Sequence, residues 1–206
     1  ATNRDKYALM RDGVQVTFRN DEGERVRERL RLFDFDEPTN NHFLCVRELW
    51  VHGDLYRRRP DIVGFVNGLP LLFVECKNIH RNLKAAFEQN FSDYKDTIPH
   101  LFHHNAIVMF GNGEEAKIGT ITSHWEHFHE WKRLAEEEPD SVSMETLLKG
   151  VCEKRNFMDL IENFILFDES GGEPKKIIAR NHQFLGVNRA IDSVHERKVK
   201  KGRLGG

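Results

Sequence analysis

The feature that most constrains the fold is a pair of apolar runs, Ile62–Val66 and Leu69–Val74, joined by Asn67-Gly68. An Asn-Gly pair between two runs of strand length signals a β-hairpin, because both residues tolerate positive φ. Both faces of these strands are apolar, Ile62 and Val66 on one and Val63 and Phe65 on the other. That predicts central strands covered on both sides. Charge is confined to the open end, with Asp61 where the hairpin enters and Glu75 and Lys77 where it leaves. Burying carboxylates unpaired is costly, so their placement needs a reason.

The register decides what they can do. If Val66 pairs with Leu69 across a two-residue turn, Asp61 faces Val74 and lies on the opposite face from Glu75. If the turn takes three residues with Gly68 left-handed, Val66 pairs with Pro70. Asp61 then lies directly across from Glu75, with Lys77 further along that face. Two carboxylates so placed suit a hard divalent cation such as Mg²⁺. A lysine beside them could orient or help deprotonate a water, or stabilise developing negative charge, as phosphodiester hydrolysis requires. The bland alternative is a hairpin whose ends are simply charged and solvated.

Arg-Pro-Asp61, then thirteen residues, then Glu75-Cys-Lys77 resembles the PD-(D/E)xK nuclease motif. The longer string PDIVGFVNGLPLLFVECKN resembles the restriction (R) subunit of type I restriction–modification enzymes. The likeness continues through NLKAAFEQNFSDYKDTIPHLFHHNAIVMFGNG and KIGTITSHWEHFHEWKRL. The resemblance implies catalytic Asp61, Glu75 and Lys77, with Mg²⁺ held by Asp61, Glu75 and the backbone carbonyl of Cys76. It also implies a Gln-x-x-x-Tyr element after the nuclease core, and the matching slot holds Asn90 and Tyr94. Asn keeps the amide one methylene shorter. These two are candidate DNA contacts, or else Tyr94 is core and Asn90 a boundary residue.

Along the rest of the chain, GVQVTFRN and Arg25–Phe33 read as a β-ribbon, although ERVRERLRLF could also be a short helix. The segment 43–51 reads as an apolar strand with Arg47 and Glu48 inserted, followed by a turn at His52-Gly53-Asp54. Leu83, Phe87, Phe91, Tyr94 and Ile98 form one stripe on a helix of about five turns ended by Pro99. Ala106–Phe110 and Lys117–Thr122 read as a strand pair. Trp125, Phe128 and Trp131 share a helical face and read as core packing. The histidines around them match no structural zinc spacing. KRLAEEEPD reads as a solvated helix end stopped by Pro139. Two helical patterns follow, Met144-Leu147-Leu148-Val151 and Phe157-Leu160-Ile161-Phe164-Ile165. The predicted fold class is α/β, a mixed central β-sheet with flanking helices around a restriction-endonuclease-like PD-(D/E)xK core.

At 206 residues, 39% hydrophobic and 31% charged, the chain suits a globular domain with or without an appendage. No apolar run approaches transmembrane length. Three scattered cysteines favour reduced thiols, hence a cytoplasmic protein. A net charge of −2 carries no global nucleic-acid signature, so DNA contact must come from local clusters such as Arg57, Arg58 and Arg59. Those three fit surface solvation equally well.

Polar, glycine-paired DESGGEPKK makes 168–175 the linker candidate after a nuclease domain over 1–167. IIARNHQFLGVNRAI resembles the opening of the R subunit's helicase-like motor. Gln183 stands there as an adenine-reading residue of a Q-motif-like element, with Arg180 a weaker nucleotide-binding candidate. ERKVKKGR adds a basic run suited to DNA phosphate. No phosphate-binding GxxxxGK[ST] loop occurs, so 176–206 reads as a motor truncated before its P-loop. The start reads as cut too, because no early helix with a further acidic ligand is identifiable. Glu48 is a candidate substitute.

The resemblance implies a Mg²⁺-dependent endonuclease domain that cuts unmodified, foreign double-stranded DNA after ATP-driven translocation. Its partners would be a specificity subunit and a methyltransferase subunit that uses S-adenosylmethionine. Two rivals are a PD-(D/E)xK nuclease of another system, such as a repair or Holliday-junction enzyme, and a catalytically inactive DNA-binding or subunit-docking module.

Overall fold

The computed structural model describes residues 2–199, with side chains through residue 196. The basic run closing the tail therefore lies outside the described side chains. The chain opens with α1 (Asn3–Asp12), where no helix was expected. Thr2 caps it and exchanges hydrogen bonds with Asp5, so two orphan donors are satisfied reciprocally. Only Tyr7 and Met10 are buried from this helix, too short an apolar stripe to register as a period. The ribbon follows as β1 (Val14–Arg19) and β2 (Arg25–Leu30), paired antiparallel with Phe18 opposite Val26, which settles 25–30 as strand.

Strand β3 (Phe43–Arg47) ends sooner than expected because Glu48 turns to φ +52. A separate small hairpin then forms from β4 (Val51–His52) and β5 (Arg57–Arg58). The central hairpin is β6 (Ile62–Val66) and β7 (Leu69–Cys76). Chain reversal after β7 uses α2 (Leu83–Ala85), a π-helical stretch over Ala86–Phe91, and α3 (Ser92–Thr97). Strand β8 (Ile107–Gly111) then runs parallel to β7, and β9 (Ala116–Gly119) returns antiparallel. The result is a five-stranded mixed sheet in the order β3-β6-β7-β8-β9. A parallel pair needs a crossover of this length, which is why the helical segment sits between β7 and β8.

One face is covered by the crossover, whose Leu83, Phe91, Tyr94 and Ile98 pack on Val63, Phe73 and Phe110. The other is covered by α1 together with α4 (Met144–Cys152) and α5 (Lys154–Asn163), which meet Leu71, Leu72 and Val74. Both faces of the hairpin are thus buried, as its two-sided apolar pattern predicts.

Trp125–Trp131 is no helix. A 3₁₀ turn over Trp125–His127 leads into extended chain, and His129 pairs with Ile118 across an isolated bridge. Extension sends Phe128 and Trp131 into the two opposite core clusters, so core packing holds while helical spacing does not. The acidic stretch after it is not helical either, and Asp140 instead pairs with Lys132 and Arg133. Residues 168–175, expected as a linker, connect β10 (Ile165–Asp168) to β11 (Lys175–Ile178) as an antiparallel hairpin. Helix α6 (Asn181–Val199) follows, and Phe184 packs on Trp131 and Phe164 at ring distances of 5.5 and 4.9 Å. No helix of the described residues is long and apolar enough to cross a membrane.

Candidate active site

The register at the open end of the hairpin is the one that aligns the carboxylates, but the turn does not produce it. Asn67 and Gly68 both take positive φ (+48 and +84) and close a two-residue turn, with Val66 opposite Leu69. The pairing shifts one residue later, between Gly64 opposite Leu72 and Phe65 opposite Pro70. Leu71 is therefore the extra residue of a mid-strand β-bulge. Pro70, beside it, has no N–H to lose from the ladder. Leu71 and its neighbour Leu72 both enter the same core cluster, as a bulge requires. Beyond it Ile62 pairs with Val74, so Asp61 comes opposite Glu75.

Glu75 is only 2% exposed. Its Oε1 accepts from Lys77 Nζ at 2.9 Å and from Asn90 Nδ2 at 2.7 Å. Its Oε2 is buried with no hydrogen-bond partner among the described residues. Burial pushes the Glu75 carboxyl up and nearby Asp61 adds to this, against the hydrogen bonds from Lys77 and Asn90. Asp61 Oδ2 accepts the Cys76 N–H at 2.7 Å. Lys77 N–H donates the other way, to Gly111 O on β8 at 2.8 Å. A planar trans peptide then turns the Cys76 carbonyl to the side where Asp61 stands. Asp61, Glu75, Lys77 and that carbonyl converge at one end of β7.

Asn90 owes its place to the π-helical stretch, which widens the turn and aims its amide at Glu75. Single π-turns inside helices recur at functional sites. Asn90, expected from its Gln-x-x-x-Tyr slot as a DNA contact or a boundary residue, is instead bonded to the carboxylate of Glu75. Tyr94 is buried edge-on to Phe73 at 5.9 Å. Burial and the Glu75 carboxylate push its phenol up to about 12, so it stays a neutral hydroxyl. Asn90→Ala removes one of two donors to a buried carboxylate oxygen. The expected loss is about 1–3 kcal/mol, seen as a lower urea midpoint at unchanged slope.

Glu48 lies beside Asp61 through its backbone, donating N–H to Asp61 O at 2.8 Å, while its carboxylate pairs with Arg59 at 3.5 Å. Among the described residues no three His, Cys, Asp or Glu side chains stand in a metal-holding group, so Glu48 does not complete a carboxylate triad. His129 is held between the carbonyls of His127 and Ala179, and burial pulls its imidazole down to about 4. Arg58 is taken up by Asp93 through two hydrogen bonds of 2.5 and 2.9 Å. Arg57 and Arg59 lie against the ring of Trp50. Gln183 lies far along the chain from this cluster, its Oε1 accepting the Arg180 N–H at 2.8 Å as the back half of a capping box on α6.

Residues 1–127 match the family model for the type I restriction enzyme R protein N terminus. The chain is 37% identical over 210 residues to the type I restriction enzyme HindI endonuclease subunit of Haemophilus influenzae, covering 97% of this chain and 20% of that protein. It is 30% identical over 210 residues to the MjaIXP endonuclease subunit assigned to a type I restriction enzyme of Methanocaldococcus jannaschii, covering 90% and 20%. It is 31% identical over 114 residues to the type I restriction enzyme SauCOLORF180P endonuclease subunit of Staphylococcus aureus, covering 55% and 11%. The chain thus spans a fifth or less of the length of these relatives.

Proposed function

This chain belongs to the family of type I restriction enzyme R protein N termini, and on that premise we propose that it carries the DNA-cutting centre of such an enzyme. The observation that supports this best is Glu75 Oε2, a buried carboxylate oxygen with no partner among the described residues, aligned by a mid-strand bulge with Asp61. A native protein rarely leaves such an atom orphaned without a use.

Hard oxygen donors around an orphaned carboxylate suit Mg²⁺. Asp61, Glu75 and the Cys76 carbonyl would hold it. When bound, the ion supplies Lewis-acid activation of the attacking water and offsets charge on the scissile phosphate. The chain's own residues do the rest. Asn90 and Lys77 fix the Glu75 rotamer through Oε1, and Oε2 would be the oxygen offered to the cation. Asp61, anchored by the Cys76 N–H, keeps one oxygen for the same task. Lys77, partly exposed and tethered to Glu75, can swing to orient a water or meet charge on the phosphate.

In the intact R protein, cutting of unmodified foreign double-stranded DNA would follow ATP-driven translocation, alongside methyltransferase and specificity subunits in the cytoplasm. Residues 176–206 would begin the motor, with Gln183 and Arg180 toward its nucleotide. The packing of Phe184 on Trp131 and Phe164 would then make a firm joint between nuclease and motor.

The test is cleavage of supercoiled plasmid by the intact R protein assembled with its partner subunits, Mg²⁺ and ATP. Asp61→Ala and Lys77→Ala are expected to cut about 100-fold slower or worse, with ATP hydrolysis retained. Unchanged cutting would leave the hairpin as scaffold.

A further inference from the structure

The hairpin β4–β5 runs directly into the site, since Arg59-Pro60 leads to Asp61. It is braced from behind. Val51 is buried, Arg58 is held by Asp93 of α3, and a Cβ on Gly53 would stand 2.0 Å from the Thr97 carbonyl at the end of the same helix. The helix that carries Asn90 to Glu75 is thus continuous with the one that props this hairpin.

The outer face is built differently. Trp50 is 50% exposed, with the Arg57 guanidinium over its ring at 3.9 Å and that of Arg59 at 5.3 Å. The cation–π contact holds both guanidinium groups without using their N–H donors. Glu48, at 3.5 Å from Arg59, supplies the one carboxylate paired with either guanidinium among the described residues. Tyr56 belongs with the brace, its ring 4.9 Å from the Arg58 guanidinium, and Leu55 beside it is 86% exposed. An indole splinting two arginines on a rigid hairpin leaves little side-chain entropy to lose when a phosphate arrives, and bidentate phosphate contact is what such forks fit.

We propose that Trp50, Arg57 and Arg59 form a backbone clamp that grips duplex DNA phosphates beside the bond to be cut, with Arg58 serving as its strut. The clamp rests on the nuclease reading above. Arg59 exchanges Glu48 for phosphate as DNA seats. The three residues position substrate and take no part in proton transfer.

The experiment uses the intact R protein with its partner subunits, following plasmid cutting, ATP hydrolysis and translocation across a series of salt concentrations. The variants are Trp50→Ala, Trp50→Phe and Arg57→Ala/Arg59→Ala, with Lys77→Ala beside them. The double arginine variant and Trp50→Ala are expected to cut up to about 100-fold more slowly, with translocation and ATP hydrolysis unchanged. The slope of log cutting rate against log salt should fall by about one for each arginine removed. Trp50→Phe, which keeps a ring to splint against, should recover most of the rate. If Lys77→Ala stops cutting while the clamp variants cut at wild-type rate and salt slope, the clamp is overturned and the nuclease reading stands. If Lys77→Ala cuts normally, the reading beneath it has failed.

Discussion

Glu75→Gln is expected to end DNA cutting while making the metal-free protein more stable. The side chain is buried, and its Oε2 has no partner among the described residues. An unpaired charge there is penalised by desolvation, which is the first cause holding this carboxyl up. Gln keeps the shape and removes the charge. Lys77 loses its ion pair, but with a partly exposed side chain it can reach solvent instead. The usual penalty for breaking a buried pair is therefore discounted. A gain of about 1–2 kcal/mol is the expected size for relieving a functional site.

The pH dependence follows in sign. A carboxyl raised in the folded state binds more protons there than in the unfolded chain, so wild-type stability falls as pH rises above the ordinary value of 4.5. That part of the slope should vanish in Glu75→Gln. Added Mg²⁺ reverses the ranking, because a cation bound only to the folded wild type contributes about 2.7 kcal/mol at a hundred times its dissociation constant. Thermal unfolding at pH 5 and 7, with and without Mg²⁺, tests all of this. A variant less stable than wild type without metal, or stabilised equally by Mg²⁺, would refute the assignment of Oε2 to a cation.

The second large effect lies away from the site. Lys176 on β11 is 1% exposed. Its Nζ donates to Asn105 O at 2.6 Å and Asn3 Oδ1 at 3.2 Å, with the rings of Tyr7 and Phe167 at 5.1 and 5.8 Å. Tyr7 is the titratable group facing it, and burial pushes that phenol up to about 12, so it brings no charge. Burial alone pulls the lysine from 10.5 down to about 7. Between those values the unfolded chain holds a proton that the folded chain has released. Stability therefore rises with pH across the window from about 7 to 10.5, at up to about 1.4 kcal/mol per pH unit.

Lys176→Met removes that slope and fills similar space. The protonation penalty relieved near pH 6 is on the order of 4–5 kcal/mol, against about 1–3 kcal/mol for lost hydrogen bonds. Asn105 O keeps a second donor in Asn3 Nδ2 at 3.3 Å, which limits that loss. The variant should be more stable by about 2 kcal/mol near pH 6, with the advantage shrinking by pH 9. Denaturant midpoints across that range decide it. Parallel pH profiles for the two proteins would mean that Lys176 reaches solvent.

Both effects turn on buried charge, and the sequence announced only one of them. Asp61, Glu75 and Lys77 stand out because they interrupt an apolar hairpin at its open end. Lys176 closes the polar run DESGGEPKK, just past the 168–175 linker candidate and at the start of the segment read as motor, and nothing local says that a hairpin will bury it. Helix α1 was hidden for a related reason, since two inward side chains in ten residues carry too little period to register. Its acids are engaged locally, Asp5 with Thr2 and Asp12 with Arg11. They have no part in the carboxylate cluster.

The chain's own pattern determined a two-sided apolar hairpin with carboxylates at its mouth, a helical stretch after it and a buried strand beyond. Those follow from side-chain period and from the positive φ that Asn67 and Gly68 accept, both local properties. Tertiary structure alone decided that the turn takes two residues and the bulge falls at Leu71. It likewise turned Asn90 toward Glu75 and sealed Glu75 Oε2 from water. A bulge is stable where two packed faces and a neighbouring strand jointly accept one extra residue. That is a property of the assembled sheet, and it puts Asp61 and Glu75 on the same side.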